Sequence, residues 1–264
     1  MQFWLGAHHP SWLRTEDHLF VSRRALFEMK SVPVAAGQWA LDSGGFTEIN
    51  LFGEWRTTEE EYVTDVIRFA EEMGGLEWAA PMDWMCEPFM LKKTGLSLME
   101  HQMRTVENFI RLRDRLGDLV IPVLQGWEQD DYHRCWEYYA RHGVELEQEA
   151  LVGIGSVCRR QNTKEADRIF RSLLPLRMHG FGVKLAGLTL FHDVLASCDS
   201  MAWSWEARRL GRRHDRQDPL FPWPKVMLCG RVHPDDHPAK SCANCRTWAM
   251  RWRQRVLNKL EVAA

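Results

Sequence analysis

Short apolar runs alternating with longer helical patterns constrain this chain more than any other feature. Eight runs read as strands: Phe3–Gly6, Trp39–Asp42, Leu76–Pro81, Leu119–Leu124, Leu151–Ile154, His179–Val183, Cys198–Ala202 and Lys225–Cys229. Thr58–Met73 begins with acidic residues and is followed by Gly74 and Gly75, a helix start and a helix stop. Ser97–Leu116 carries apolar positions at Leu98, Val106, Phe109, Ile110 and Leu112 and meets Gly117. Asp130–Arg141, Thr163–Leu174 and Ala243–Leu260 are further helical patterns. This alternation predicts an α/β fold, a (β/α)8 TIM-type barrel, although a doubly wound open sheet shares the local pattern. We read residues 1–264 as one barrel domain with a zinc-binding segment at 226–250, and Arg209–Pro224 as a long surface loop.

Composition narrows the classes. No apolar run is long enough to cross a bilayer. The stretch Met1–Gly6 lacks the basic start and cleavage pattern of a signal peptide, so the cytoplasm is the expected location. Seven cysteines, an odd number, argue against a disulfide framework. The net charge is −2, so any nucleic-acid binding must come from a local patch.

Asp42-Ser43-Gly44-Gly45-Phe46 ends one apolar run with a carboxylate and a two-glycine turn, which lets backbone approach a flat ligand. Catalytic residues of barrel enzymes come from strand ends. The other strand-end residues here are His8, His9, Asp83, Gln125, Gly153 to Ser156, Gly182 and Asp199. Three carboxylates and an amide on four strands suit acid/base or nucleophilic chemistry on a small polar ring. Paired carboxylates also suit glycoside hydrolysis. Asp199 and Asp83 can equally be read as helix or turn caps, and Gln125 as a partner for strand-end backbone. His8 is a candidate to line the mouth, and a buried, hydrogen-bonded histidine is the other reading. Cys229-x3-His233 with Cys242-x2-Cys245 offers three thiolates and an imidazole, which suits a closed tetrahedral Zn2+ site, with His237 competing for the fourth position. Arg208, Arg209, Arg212, Arg213 and Arg216 beside Trp205, together with Arg159, Arg160 and Lys164, form candidate phosphate contacts at the mouth. A solvated helix face is the alternative.

Leu41-Asp42-Ser43-Gly44-Gly45-Phe46 resembles the Asp-Ser-Gly-Gly-Phe signature of the tRNA-guanine transglycosylase superfamily. In the same order, Pro81-Met82-Asp83, Val123-Leu124-Gln125-Gly126, Gly153-Ile154-Gly155-Ser156-Val157, His179-Gly180-Phe181-Gly182-Val183 and Cys198-Asp199-Ser200 resemble its further segments, over about 160 residues. After Asp199 the chain reads Met201-Ala202-Trp203-Ser204-Trp205, where the tRNA enzymes have Leu-Pro-Thr-Arg. After Val157 it reads Cys158-Arg159-Arg160, where they have Gly-Glu. These segments, with Gly6-x-His8-x-Pro10-x-Trp12-Leu13 and Asp83-Trp84-Met85-Cys86-Glu87, are similar to the DNA-acting 7-deazaguanine branch (deazapurine DNA modification protein A, DNA-guanine transglycosylase) of bacteria and their phages.

The resemblance implies a base exchange in DNA. Asp199 would attack C1′ and release guanine, and a free 7-deazaguanine, with 7-cyano-7-deazaguanine (preQ0) the expected donor, would then replace it. Asp42 would shuttle protons or hydrogen-bond the base. Asp83 would read the N1–H and N2 edge. Gln125 and the backbone N–H groups near Gly153–Gly155 would bind O6. Phe46 or Trp84 would stack on the base. The tRNA enzymes also carry a Cys3His zinc, with its ligands in a different order. Two alternatives stay open: the same chemistry on tRNA, and a non-catalytic nucleic-acid-binding partner of such an enzyme.

Overall fold

The computed structural model describes residues 1–157, 164–183, 185–215, 228–230 and 242–263. They form two compact units, Met1–Asp199 and Ser200–Ala264. The first is built on β1 (Gln2–Ala7), β2 (Leu19–Ser22), β3 (Trp39–Asp42), β4 (Leu76–Ala79), β5 (Val123–Leu124), β6 (Val152–Ile154), β7 (Met178–Gly180) and β8 (Leu195–Ser200). Its helices are α1 (Gly45–Phe52), α2 (Glu59–Met73), α3 (Pro88–Thr94), α4 (Leu98–Leu116), α5 (Gln129–Arg141), α6 (Lys164–Ser172) and α7 (Leu185–Phe191).

The eight strands form one sheet in the order β4-β3-β2-β1-β8-β7-β6-β5. Its edges meet. Ala79 of β4 bridges Val120 just ahead of β5 in parallel, and the Ile121 N–H donates to the Ala79 carbonyl at 3.2 Å. With that bridge each strand lies beside its chain predecessor, the curled parallel arrangement of a TIM-like fold.

One strand differs from expectation. Of the expected strand Lys225–Cys229, residues 225–227 lie outside the described residues, and Leu228 and Cys229 sit in a turn. The eighth strand is β2, which pairs in parallel with both β1 and β3. Only a 3-10 turn, Pro10–Arg14, separates it from β1, so no helical period announces it.

Helix starts follow local chemistry. Thr58 and Ser97 each accept from the N3 backbone N–H while Glu61 and Glu100 reach back, forming capping boxes on α2 and α4. Each is worth about 1 kcal/mol. Inside the sheet, Trp4, Phe20, Ala40, Trp78, Ala80 and Ile121 form an apolar cluster, with Leu151 and Phe181 packed against it. Side chains alternate across a strand, so residues two positions further along stay on the inner face. That step takes Ala40 to Asp42, Phe20 to Ser22 and Ser197 to Asp199. Where the aromatic layer ends, polar side chains begin.

The second unit contains α8 (Ala202–Asp215) and α9 (Arg246–Ala263). The Trp248 indole N–H donates to the Trp203 carbonyl at 2.9 Å, and Arg255 pairs with Glu206 at 3.2 Å. Residues 209–215, expected in a loop, continue α8, while 216–224 lie outside the described residues. Among the described residues no helix is long and apolar enough to cross a membrane.

Gly74 and Gly75, which end α2, have φ of +66° and +67°. A Cβ on Gly75 would strike the Gly37 carbonyl, whereas a Cβ on Gly74 meets nothing. Gly75→Ala is expected to cost about 2–3 kcal/mol of unfolding free energy, and Gly74→Ala about 1 kcal/mol. Urea denaturation of both variants checks this, and equal costs would mean that the carbonyl yields.

Candidate active site

The three strand-end carboxylates converge. Asp42 and Asp83 are half-buried and Asp199 is buried. Burial is the main cause that raises the Asp42 pKa, and the nearby Asp199 charge adds to it. Hydrogen bonds from Ser22 and from the Gly44 backbone oppose the rise. Burial likewise pushes Asp83 up to about 7, with Asp42 and Glu87 adding and a Gln125 hydrogen bond opposing. Carboxylates with raised proton affinity are suited to acid/base work.

The turn that carries Asp42 is fixed by what glycine leaves open. Gly44 has φ of +82°, and a Cβ on it would sit 2.7 Å from the stem of Arg24. A Cβ on Gly45 would lie 2.5 Å from the Trp55 ring. The indole N–H of Trp55 donates to the Asp83 carbonyl at 3.1 Å. One ring thus abuts both the Asp42 turn and the Asp83 loop. Behind the turn, Thr57 Oγ1 donates to Glu48 Oε1 at 2.9 Å, and Arg23 donates to Thr57 at 2.8 Å and to Asp65 at 2.7 Å. This partly buried ionic network ties α1 to α2.

The Asp83 loop lacks a strand ladder, and α4 replaces it. Asn108 Nδ2 donates to the Met82 carbonyl at 2.6 Å, and Thr105 Oγ1 accepts the Trp84 N–H at 2.9 Å. His101 Nδ1 lies 2.7 Å from the Met85 carbonyl and its Nε2 lies 2.8 Å from Thr94 Oγ1, while burial lowers its pKa. Gln102 Nε2 donates to the carbonyls of Gln125 and Asp131, each at 2.7 Å. The buried polar face of α4 is therefore occupied in holding the loop and the end of β5.

Gln125 is fully buried. Its Nε2 donates to Asp83 Oδ2 at 2.5 Å, and its Oε1 lies 2.7 Å from Ser156 Oγ. Ser156, at φ of +56°, also accepts the Cys86 N–H at 2.8 Å and contacts Glu87 Oε2 at 2.9 Å. Gln125 thus orients Asp83. A Cβ on Gly155 would overlap the Gln125 amide, and one on Gly153 would lie 2.5 Å from the Phe181 ring. The N–H groups of Gly155 and Gly153 donate to the carbonyls of Leu124 (3.0 Å) and Pro122 (2.8 Å). Against expectation, these N–H groups serve the sheet, and the two glycines contribute space.

Other expected contacts divide. Phe46 is 43 % exposed beyond the Asp42 turn, with Phe89 against it at 6.1 Å between centroids. Trp84, expected to stack on a base, is 6 % exposed and packs among Ile49, Met85 and Met90. The Arg104 guanidinium sits 4.7 Å from its ring. Trp84 is core. His8 is half-buried just past the end of β1. Ser22, Trp55, Ser156 and the α4 residues carry geometry that the strand-end reading did not assign.

In the second unit, Arg208 and Arg209 lie on the exposed side of α8, and Arg209 stands 5.2 Å over the exposed Trp205 ring. Arg212 is on the same helix, with its side chain outside the description, and Arg159 and Arg160 lie outside the described residues. Cys229 and Cys242 are buried and Cys245 is half-buried. Burial pushes the Cys242 thiol up to about 11. Hydrogen bonding with Cys229, whose backbone contact opposes the rise, and the proximity of Cys229 and Cys245 modify the shift. Thiolates are among the soft donors that zinc takes. Among the described residues, however, no three His, Cys, Asp or Glu side chains make a metal-holding group, and His233 and His237 lie outside them.

A family model described as DpdA, DeoxyPurine in DNA protein A, matches residues 1–218. No curated protein matches the chain.

The raised proton affinities set a pH dependence. Ionising Asp83 costs more in the folded chain than in the unfolded one, so its contribution to stability is greatest at low pH and is lost as pH rises through about 7. Asp83→Asn removes that loss. The variant is expected to melt a few degrees above the parent chain at pH 8 and close to it at pH 4.5. An equal gap at both pH values in calorimetry would contradict the assignment.

Proposed function

The chain belongs to the DpdA family, deoxypurine in DNA protein A, the DNA-acting 7-deazaguanine transglycosylase branch, and from that premise we propose that it exchanges guanine in DNA for a free 7-deazaguanine. The observation that carries this reading is the convergence of Asp42, Asp83 and Asp199 at the ends of the sheet, where two of them hold protons more tightly than ordinary carboxylates.

Asp199 attacks C1′ of a deoxyguanosine. The C1′–O ester bond forms as the C1′–N9 bond breaks, and guanine departs. Asp42, with its raised proton affinity, protonates the departing base. It then takes the proton from the arriving base, which reforms the glycosidic bond and frees the carboxylate. Asp83 accepts from the N1–H and N2 groups that guanine and 7-deazaguanine share, and Gln125 holds it in line. Phe46 supplies an exposed ring at the mouth for stacking. The target nucleotide leaves the duplex, because stacking hides C1′ and the base edges. Arg208, Arg209 and Arg212, with Arg159 and Arg160, contact phosphates. Cys229, Cys242 and Cys245, with His233 or His237, would hold a structural zinc.

Duplex DNA and, separately, tRNA, each incubated with 7-cyano-7-deazaguanine, digested to nucleosides and weighed by mass spectrometry, test this reading. A modified deoxynucleoside that falls on the order of 10³-fold or more in Asp199→Ala is the expected result. Product in tRNA alone would move the substrate, and no product with either polymer would overturn base exchange. Zinc content is read independently. Cys242→Ser is expected to lose bound zinc and to lower the melting temperature, and unchanged zinc would remove Cys242 as a ligand.

A further inference from the structure

Behind Asp199 lies a buried imidazole that none of the roles above uses. His179 on β7 is fully buried and pairs in register with Ser197 of β8. Its Nδ1 is 2.8 Å from Ser197 Oγ. Its Nε2 faces Asp199 Oδ1 at 3.4 Å and makes no hydrogen bond among the described residues. Trp78 and Phe181 meet the ring edge-on with centroids 4.7 Å away, and Phe20 lies at 6.0 Å. An unsatisfied nitrogen in an aromatic cage costs stability, so its place calls for a use. Asp199 Oδ1 also accepts the Gly182 N–H at 2.7 Å. Both contacts fall on the same carboxylate oxygen.

We propose that His179 is a positioning residue for the nucleophile: with its proton on Nε2, it joins the Gly182 N–H as a two-donor cradle for Asp199 Oδ1 and leaves Oδ2 to bond C1′. This rests on the base-exchange reading. The facing Asp199 carboxylate favours hydrogen on Nε2, and in the proposed arrangement the Ser197 hydroxyl donates to Nδ1 and holds that tautomer. In the first half-reaction the Oδ2–C1′ bond forms, the bond from C1′ to guanine breaks, and Oδ1 becomes the ester carbonyl oxygen. In the second, the incoming base bonds C1′ and the electron pair of the C1′–Oδ2 bond returns to the carboxylate. In the second half-reaction charge returns to Oδ1 and meets two fixed donors in a site walled by aromatic rings, where such donors act most strongly; in the first, where Oδ1 loses charge, the cradle acts by aiming Oδ2 at C1′. No proton leaves His179 in either step.

His179→Leu, His179→Gln and Ser197→Ala test the cradle in single-turnover assays that follow the covalent protein–DNA adduct and its discharge by 7-cyano-7-deazaguanine. The leucine variant is expected to slow discharge of the adduct on the order of 10²-fold, and its formation to a lesser degree through lost alignment of Oδ2, with unchanged affinity for DNA and for the free base. Glutamine, whose amide can donate to Oδ1, is expected to recover part of the rate. Wild-type rates in His179→Leu would overturn the proposal. Should that variant not fold, Ser197→Ala carries the test: slower turnover at unchanged affinity supports the tautomer lock, and an unchanged rate overturns it. A wild-type chain that forms no adduct counts against base exchange and not against the cradle. The cradle is then read by long-range 1H–15N correlation of the imidazole, where hydrogen on Nε2 supports it and hydrogen on Nδ1 alone overturns it.

Discussion

Carboxylates that crowd one another must each be given hydrogen-bond donors, and the arrangement of the first unit follows from that need. Asp42 takes its donors from Ser22 and the Gly44 backbone, Asp83 from Gln125, and Asp199 from the Gly182 backbone. These donors sit on or just after β2, β3, β5 and β7, so the acids stay together only if the strands keep their neighbours around the curled sheet. The parallel bridge between Ala79 and Val120 contributes little energy itself. It brings Asp83, just after β4, within reach of Gln125 at the end of β5.

The interior divides by chemistry along the strands. Trp4, Phe20, Trp78 and Phe181 exclude water at one level, and one inward step later the side chains are Ser22, Asp42 and Asp199. An apolar floor beneath polar groups raises the cost of ionisation, which is why burial leads the causes that raise Asp42 and Asp83. The aromatic layer therefore packs the core and also tunes the acids.

Much of this was legible in the chain. Seven of the strands appear as apolar runs that contain or overlap the observed ones, and Asp42, Gln125 and Asp199 stood at their ends as expected. β2 was not legible, because four residues after a 3-10 turn carry neither length nor period, and with β2 went Ser22. Lys225–Cys229 has the composition of a strand, but its first three residues lie outside the described ones, and the eight described strands already form the sheet. The work of α4 was also hidden. His101, Gln102 and Thr105 read as the ordinary polar residues of an amphipathic helix until the loop beside them is seen to need their hydrogen bonds. Trp84 was misassigned because an aromatic residue next to a site acid looks the same in sequence whether it faces a ligand or the core.

The shared abutment of Trp55 couples two parts of the site mechanically. Its ring lies against Gly45 and its N–H holds the Asp83 carbonyl. The span between the Asp42 turn and the Asp83 loop is thus gauged by the width of an indole, a covalent dimension that neither thermal motion nor solvent alters. Such a jig behaves like a caliper set once. A push on the Asp83 loop reaches the Asp42 turn through a rigid ring.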